Sequence, residues 1–320
     1  MFEDPIAIEM VPLDPVLARI AAHVATMPPL FANPVATRRA MEERARITAV
    51  AASTIELKSV EDRLVVYCDK AVPVRIYRPL EPSGATAIYY HGGGFVVGSV
   101  QQFDRVAAKF CRDTAAVIVS VDYRLAPEYP FPAAHEDALA AALWAHDHVE
   151  DLGGNPARLA LIGESAGGNL AACTALAFRD RGLALALQAL IVPGADFARE
   201  VSAEALASAS YPMLNFADMK ETSRLYLGEA GSAAVACPPS PLRASSFAGL
   251  PPTLIAVAGH CPLKNEGLVY AQTLAANGVE VSTLCLADMF HPFLGFFDDA
   301  PAALAASDRV CREIRARLYG

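Results

Sequence analysis

Leu159-Ala160-Leu161-Ile162-Gly163-Glu164-Ser165-Ala166-Gly167-Gly168-Asn169-Leu170-Ala171-Ala172 is the stretch whose reading decides the fold. Its first four residues form a continuous apolar run of the kind buried in a parallel sheet. Its last four open a helix. Between them lies Gly163-Glu164-Ser165-Ala166-Gly167, a G-x-S-x-G turn in the strand-to-helix setting that a nucleophile elbow requires. Such a turn is sharp, so small residues must flank the serine. The serine hydroxyl then stands at a helix N-terminus, where backbone N–H groups favour developing negative charge.

Working outward, the same alternation of short apolar runs and helical stretches recurs along the chain. Ala87-Ile88-Tyr89-Tyr90, Ala116 to Val121 and Leu254-Ile255-Ala256-Val257 read as further buried strands. Residues 133–149 carry an apolar stripe of Ala138, Leu139, Ala142, Leu143 and Ala145 beside Glu136, Asp137, His146 and Asp147, the pattern of an amphipathic helix. Leu64 to Tyr67 and Val74 to Tyr77, with Asp69-Lys70 between them, read as an antiparallel pair opening the sheet. This alternation specifies α/β with a mostly parallel, doubly wound sheet and places functional groups beyond the C-terminal ends of the strands. Residues 1–45 and 198–232 do not follow the strand pattern and are expected to form a helical cap over a core of residues 46–197 and 233–320.

Two further motifs carry chemistry. His91-Gly92-Gly93-Gly94-Phe95 follows the strand ending at Tyr90, and consecutive glycines let bare backbone N–H groups approach a substrate, the arrangement of an oxyanion hole. The expected donors are the N–H groups of Gly93, Gly94 and Ala166, with His91 bracing the loop. No G-K-[ST] follows the glycines, which argues against a phosphate cradle. His291, in Met289-Phe290-His291-Pro292-Phe293, lies after the strand candidate at residues 281–286, and the order serine then histidine is that of the α/β-hydrolases. His291 is the expected general base for Ser165.

Composition bounds the alternatives. The 320 residues are 54% hydrophobic and 19% charged, with a net charge of -9, and no Lys/Arg run suggests nucleic acid as a partner. The mean hydropathy of +0.30 fits one well-packed core. No apolar run reaches the roughly 18 residues of a membrane span, and the acidic start at Met1-Phe2-Glu3-Asp4-Pro5 is unlike a secretory signal, so a cytoplasmic protein is expected. The seven cysteines lack C-x-x-C pairing, which suits reduced thiols and no metal site.

Four stretches together resemble the hormone-sensitive-lipase-like bacterial esterases of the α/β-hydrolase fold. They are His91 to Phe95, Asp122-Tyr123-Arg124-Leu125-Ala126-Pro127-Glu128 with Phe131-Pro132-Ala133, Gly163 to Leu170, and Leu250-Pro251-Pro252 through His291. The resemblance covers about residues 60 to 300. It implies hydrolysis of short-chain carboxylic esters through an acyl-enzyme, an N-terminal helical cap, no cofactor, and a structural role for Asp122 to Glu128.

The departures from that family are as informative as the matches. Where its members read D-P-L-x-D-E-G, this chain reads Cys261-Pro262-Leu263-Lys264-Asn265-Glu266-Gly267, so the aspartate that orients the histidine is replaced by Cys261. H-G-F becomes His291-Pro292-Phe293, and the acid before the serine is Glu164 in place of Asp. A neutral thiol is a poor acceptor and stabilises an imidazolium weakly. Glu266 and Asp196 are the candidate replacement acids, Asn265 is a candidate amide orienter, and Asp288 is too near His291 in the chain without a sharp reversal. Two other readings stay open: Cys261 as the nucleophile, with His260 or His291 as base, and a non-hydrolytic relative that uses the pocket only to bind small molecules. Phe31, Tyr211, Met213 and Phe216 are candidate cap residues for specificity. An exposed last strand at 281–286 offers an edge for pairing two copies.

Overall fold

The computed structural model describes residues 11–51, 55–199 and 211–320. Parts of the expected cap, residues 1–10 and 200–210, lie outside the described residues. Chain order is α1 (Pro15–Val24), α2 (Pro34–Ala51), β1 (Ser59–Tyr67), β2 (Lys70–Arg78), β3 (Thr86–Tyr90), α3 (Asp104–Thr114), β4 (Val117–Val121), α4 (Ala133–Asp147), β5 (Leu159–Glu164), α5 (Ala166–Asp180), β6 (Leu187–Ile191), α6 (Phe216–Leu227), β7 (Thr253–His260), α7 (Lys264–Ala276), β8 (Val281–Phe290) and α8 (Pro301–Tyr319). The eight described strands form one sheet in the order β1-β2-β4-β3-β5-β6-β7-β8. β1 pairs with β2, and β2 with β4, antiparallel; all later pairings are parallel. The strand order reverses around β3, and β5 sits next to it, which brings the ends of these two strands together at the crevice where α/β sheets place their sites.

The continuous apolar runs have the expected consequence: every residue of β3, β4, β5 and β6 is buried. Alternate side chains feed two cores. Ile88 and Tyr90 of β3, Val119 of β4 and Leu161 of β5 pack with α4, α5 and α7, whereas Ala87, Tyr89, Ile118 and Ile162 pack with α3 and α8. The helix read at 133–149 is α4, and the hairpin read around Asp69-Lys70 is β1–β2.

Local chemistry starts the helices near the site. Asp14 caps α1, accepting from the N–H groups of Val16 at 2.9 Å and Leu17 at 3.0 Å. Asn215 and Asp218 make a reciprocal capping box at the start of α6. α2 runs through the expected cap boundary at residues 45 and 46, because its Ala, Arg and Glu-rich sequence holds no breaker before Ala51. Arg38 of α2 donates to the Ala126 carbonyl at 3.1 Å and pairs with Glu128 at 2.6 Å, tying that helix to the loop after β4. No helix among the described residues is long and apolar enough to cross a membrane.

Candidate active site

Ser165 sits between β5 and α5 with φ 57° and ψ -116°, a strained left-handed conformation for a residue with a side chain. The strain is enforced by contact on both sides. A Cβ on Gly163 would lie 2.0 Å from the Gly167 carbonyl oxygen, and one on Gly167 would lie 2.0 Å from that of Tyr90. The Ser165 N–H donates to the Ile191 carbonyl at 2.8 Å, fixing the turn to the end of β6. The turn has the geometry of a nucleophile elbow, built on backbone that tolerates no side chain at either glycine.

The loop after β3 wraps the other side. Gly93 has φ +119°, and a Cβ there would collide with the Val97 carbonyl oxygen at 2.0 Å. Its own carbonyl accepts from the Val96 and Val97 N–H groups, closing the loop. The N–H groups of Gly93 and Gly94 have no acceptor among the described residues. Ala166 is the first residue of α5, a position whose N–H a helix leaves unpaired. Behind the loop, His91 stacks between Tyr123 and Phe103 at 4.3 and 5.2 Å, and its Nδ1 lies 2.7 Å from the Gly92 carbonyl. Burial pushes its pKa down. A neutral, stacked ring is a brace.

His291 lies just beyond β8 and is buried, and burial alone takes its pKa down to about 3. Its Nδ1 is 3.2 Å from Cys261 Sγ, so the residue in the place of the orienting acid does face the histidine. Backbone groups beside Cys261 favour an anion there, and the nearby Glu266 charge opposes it. The Leu263 N–H donates to Sγ at 3.3 Å, and the backbone of Lys264 also favours the anionic form of the side chain. Burial outweighs these donors and pushes the thiol up to about 12, so the pair is neutral Cys beside neutral His.

Neither alternative acid reaches His291. Glu266 accepts from the N–H groups of Ala195 and of Asp196, the latter at 2.8 Å, and pairs with Arg199 through both oxygens, Nη2 to Oε1 at 3.1 Å. Asp196 is bound by Arg243 at 2.7 and 2.9 Å and caps the Ala198 N–H at 2.9 Å. Each carboxylate has an arginine of its own, which is the physical reason it does not turn to the histidine; the expectation that one of them substitutes for the aspartate is corrected here. Asp288 lies within β8. His260 points away, its Nε2 2.9 Å from the Val11 carbonyl. Burial and a raised pKa also disfavour Cys261 as a nucleophile.

Ser165 and His291 open onto one cavity of about 120 Å³. Gly93, Gly94 and Ala166 line it, together with Phe95, Phe197, Leu263 and Pro292 from the sheet side and Leu30, Phe31, Met213, Leu214, Met219, Thr222 and Ser223 from around α1, α2 and α6. Of the candidate specificity residues, Phe31 and Met213 line the cavity; Tyr211 and Phe216 instead pack edge to face with ring centroids 5.7 Å apart. Four contributors went unrecognised in the sequence. Asn169 reads as a helix starter, yet its Nδ2 donates to the Gly194 and Pro239 carbonyls at 2.8 and 2.7 Å and its Oδ1 meets His135 Nε2 at 3.1 Å. His135 in turn meets the Tyr226 hydroxyl of α6 at 2.6 Å, so one buried chain of polar contacts links α5, α4 and α6 under the cavity. Arg199, also on the lining, appears in sequence only as a surface-type residue. Asp122 to Glu128 serves the frame, with Asp122 accepting from the Val100 N–H and Arg124 paired to Asp137 and Glu136. Among the described residues no three His, Cys, Asp or Glu side chains converge on a possible metal position.

An elbow serine, a buried histidine and unspent N–H groups around one cavity define the serine-hydrolase class of site. A sequence profile for the alpha/beta hydrolase fold matches residues 87–295, and the chain belongs to that family, in its hormone-sensitive-lipase-like branch. Among curated relatives, the carboxylic ester hydrolase LipN of Mycobacterium tuberculosis is 39% identical over 255 residues, 77% of this chain and 67% of the relative. The esterase LipI of the same organism is 38% identical, covering 78% of this chain and 79% of the relative. Among solved structures, the hyperthermophilic esterase of Pyrobaculum calidifontis superposes with a TM-score of 0.86 at 33% identity, covering 96% of this chain and 99% of that one. EstE1, a thermostable carboxylesterase cloned from a metagenomic library, does so with a TM-score of 0.83 at 35% identity, covering 90% and 99%.

Proposed function

We propose that this chain is a serine carboxylesterase acting on small esters through an acyl-enzyme, with a thiol standing in for the acid of the triad. Ser165 is the nucleophile, His291 the general base, and the Gly93, Gly94 and Ala166 N–H groups hold the oxyanion. The observation that carries the reading is the placement of Ser165, His291 and unspent N–H donors on one cavity, with Cys261 Sγ 3.2 Å behind the histidine. The esterase names of relatives at 35 to 39% identity support it. So does the cavity, whose mostly apolar lining and small volume suit short acyl chains.

The productive tautomer has the His291 Nδ1–H donating to Cys261 Sγ, leaving Nε2 to take the Ser165 proton. Attack of Oγ on the ester carbonyl forms the tetrahedral adduct, whose oxygen meets the loop and helix N–H groups. His291 returns its proton to the departing alcohol, and water then repeats the sequence on the acyl-serine. Each half-reaction forms an imidazolium that no carboxylate balances. A slow enzyme follows. Residues 11–45, 198–199 and 211–232 act in this reading as the described part of the cap, and the edge strand β8 as the surface on which two copies pair.

The test is hydrolysis of p-nitrophenyl butyrate by wild type with Ser165→Ala as the blank. Turnover by wild type alone is expected; equal rates overturn the proposal. The neutral state of the His291–Cys261 pair favours one second reading, a non-hydrolytic relative that binds small molecules in this cavity. It is adopted if ligands raise the melting temperature while no Ser165-dependent turnover occurs.

A further inference from the structure

The residue before the nucleophile holds a carboxyl group that the chemistry above does not use. Glu164 ends β5, is fully buried, and neither of its carboxyl oxygens has a hydrogen-bond partner among the described residues. Its position joins the three catalytic pieces. It is bonded to Ser165 through the backbone. Its Oε2 packs beneath the oxyanion loop, where a Cβ on Gly92 would stand 3.6 Å from it and 3.5 Å from Ser165 Cβ. The Leu294 N–H, three residues beyond His291, lies close enough to favour the ionised carboxyl without completing a hydrogen bond.

Among the described residues only the Leu294 N–H favours a charge here. β3 brings Tyr89, whose hydroxyl is likewise buried and unpartnered and whose own ionisation the Glu164 charge opposes, and beyond its end His91, kept neutral by burial. β6 brings Ile191, the register partner of Glu164. The loop after β8 brings neutral His291. Around the Leu294 turn, α3 and α8 bring Lys109, which is committed to Asp113 and Asp308, and Cys311, pushed up to about 12. A buried carboxyl without donors or cations is stable only as the neutral acid.

We propose that Glu164 is a positioning residue that works protonated: as a neutral acid it fills the junction of elbow, oxyanion loop and histidine loop, and its ionisation shuts the esterase down at alkaline pH. The inference rests on the esterase reading of the site. An anion under Gly92 opposes the negative charge that forms on the substrate oxygen at the Gly93 and Gly94 N–H groups, and it forces its own junction to open toward water. Burial holds the Glu164 pKa up at about 8, which places the switch just above neutrality. A single charge at one residue's remove from the oxyanion, in a partly screened interior, lowers kcat by about tenfold or more.

The experiment is kcat for p-nitrophenyl butyrate from pH 6 to 10 in wild type and Glu164→Gln, each corrected with Ser165→Ala, alongside thermal unfolding of wild type and Glu164→Gln over the same range. Expected are an alkaline fall in wild type centred near pH 8, its absence in Glu164→Gln, and a melting temperature for Glu164→Gln that gains on wild type as pH rises. An unchanged alkaline limb in Glu164→Gln, or a wild-type rate that climbs through pH 8 and loses the climb in the variant, overturns the proposal. If no form shows Ser165-dependent turnover, the esterase reading fails, and the unfolding series still reads the protonation of Glu164: a melting difference that does not change with pH overturns that too.

Discussion

Returning the aspartate at position 261 is expected to raise kcat/KM by about 10³. In the wild type the imidazolium formed at each step faces a neutral sulfur at 3.2 Å. In Cys261→Asp it faces a carboxylate at about 4 Å between charge centres, and at an effective dielectric constant near 20 that attraction is about 4 kcal/mol. At about 1.4 kcal/mol per factor of ten this is about a thousandfold in rate. The figure is bounded from above by the loss of about 10⁴ when a serine protease triad loses its acid to a neutral amide, which also spoils the tautomer. The site is ready to receive the charge, because the Leu263 N–H and the Lys264 backbone already favour an anion there. The same carboxylate stabilises protonated His291, so the acid limb of the pH profile moves up from the region near 3 toward the usual histidine range. The assay is the initial rate of p-nitrophenyl butyrate hydrolysis against pH for wild type, Cys261→Asp and Cys261→Asn, with circular dichroism to confirm folding. A folded Cys261→Asp that gains less than about tenfold, with an unmoved acid limb, refutes the claim that the missing charge limits this site.

Two other outcomes follow from the geometry. Gly93→Ala puts a Cβ 2.0 Å from the Val97 carbonyl at a φ of +119°, so the oxyanion loop must shift; kcat for p-nitrophenyl butyrate falls by about 10² or more. Stability against urea is greatest near pH 6.5. Below it, His91, His135 and His291, all lowered by burial, the last two to about 4 and 3, take up protons only on unfolding, while Glu164, raised to about 8, releases one; the net of more than one proton costs more than about 1.4 kcal/mol per pH unit down to about pH 4.5. Above pH 6.5 the histidines are neutral in both states and only the Glu164 proton is lost on unfolding, so stability falls toward pH 8 by about 1.4 kcal/mol per pH unit. Urea midpoints at pH 5, 6.5 and 8 check both limbs, and Glu164→Gln removes the upper one.

Much of this architecture is legible in one dimension because its signals are local. The buried strands announce themselves as runs without polar residues, and the elbow and oxyanion loop as glycines at short spacing, since both depend on backbone clearance within a few residues. What escapes the sequence is set by contacts across large separations. Glu266 and Asp196 are chemically suited to orient a histidine, and only their pairing with Arg199 and Arg243 assigns them elsewhere. Asn169 looks like a helix starter until the Pro239 and Gly194 carbonyls are brought to it from 70 and 25 residues away. The cap boundary expected at 45 and 46 falls within α2, whose sequence holds no Gly or Pro to stop it before Ala51. Glu164 reads as a mild replacement for aspartate, and its isolation is visible only once β3, the glycine loop and the Leu294 turn close around it.

The central claim, that Ser165 is acylated with a thiol behind His291, is tested most directly by trapping the covalent state. Wild type, Cys261→Asp and Ser165→Ala are each treated with a p-nitrophenyl alkylphosphonate, and intact mass and peptide mapping are followed against time. The account predicts a single adduct on Ser165 in the first two proteins, forming faster in Cys261→Asp, and none in Ser165→Ala. Folded wild type that stays unlabelled, or an adduct that maps to Cys261, contradicts it.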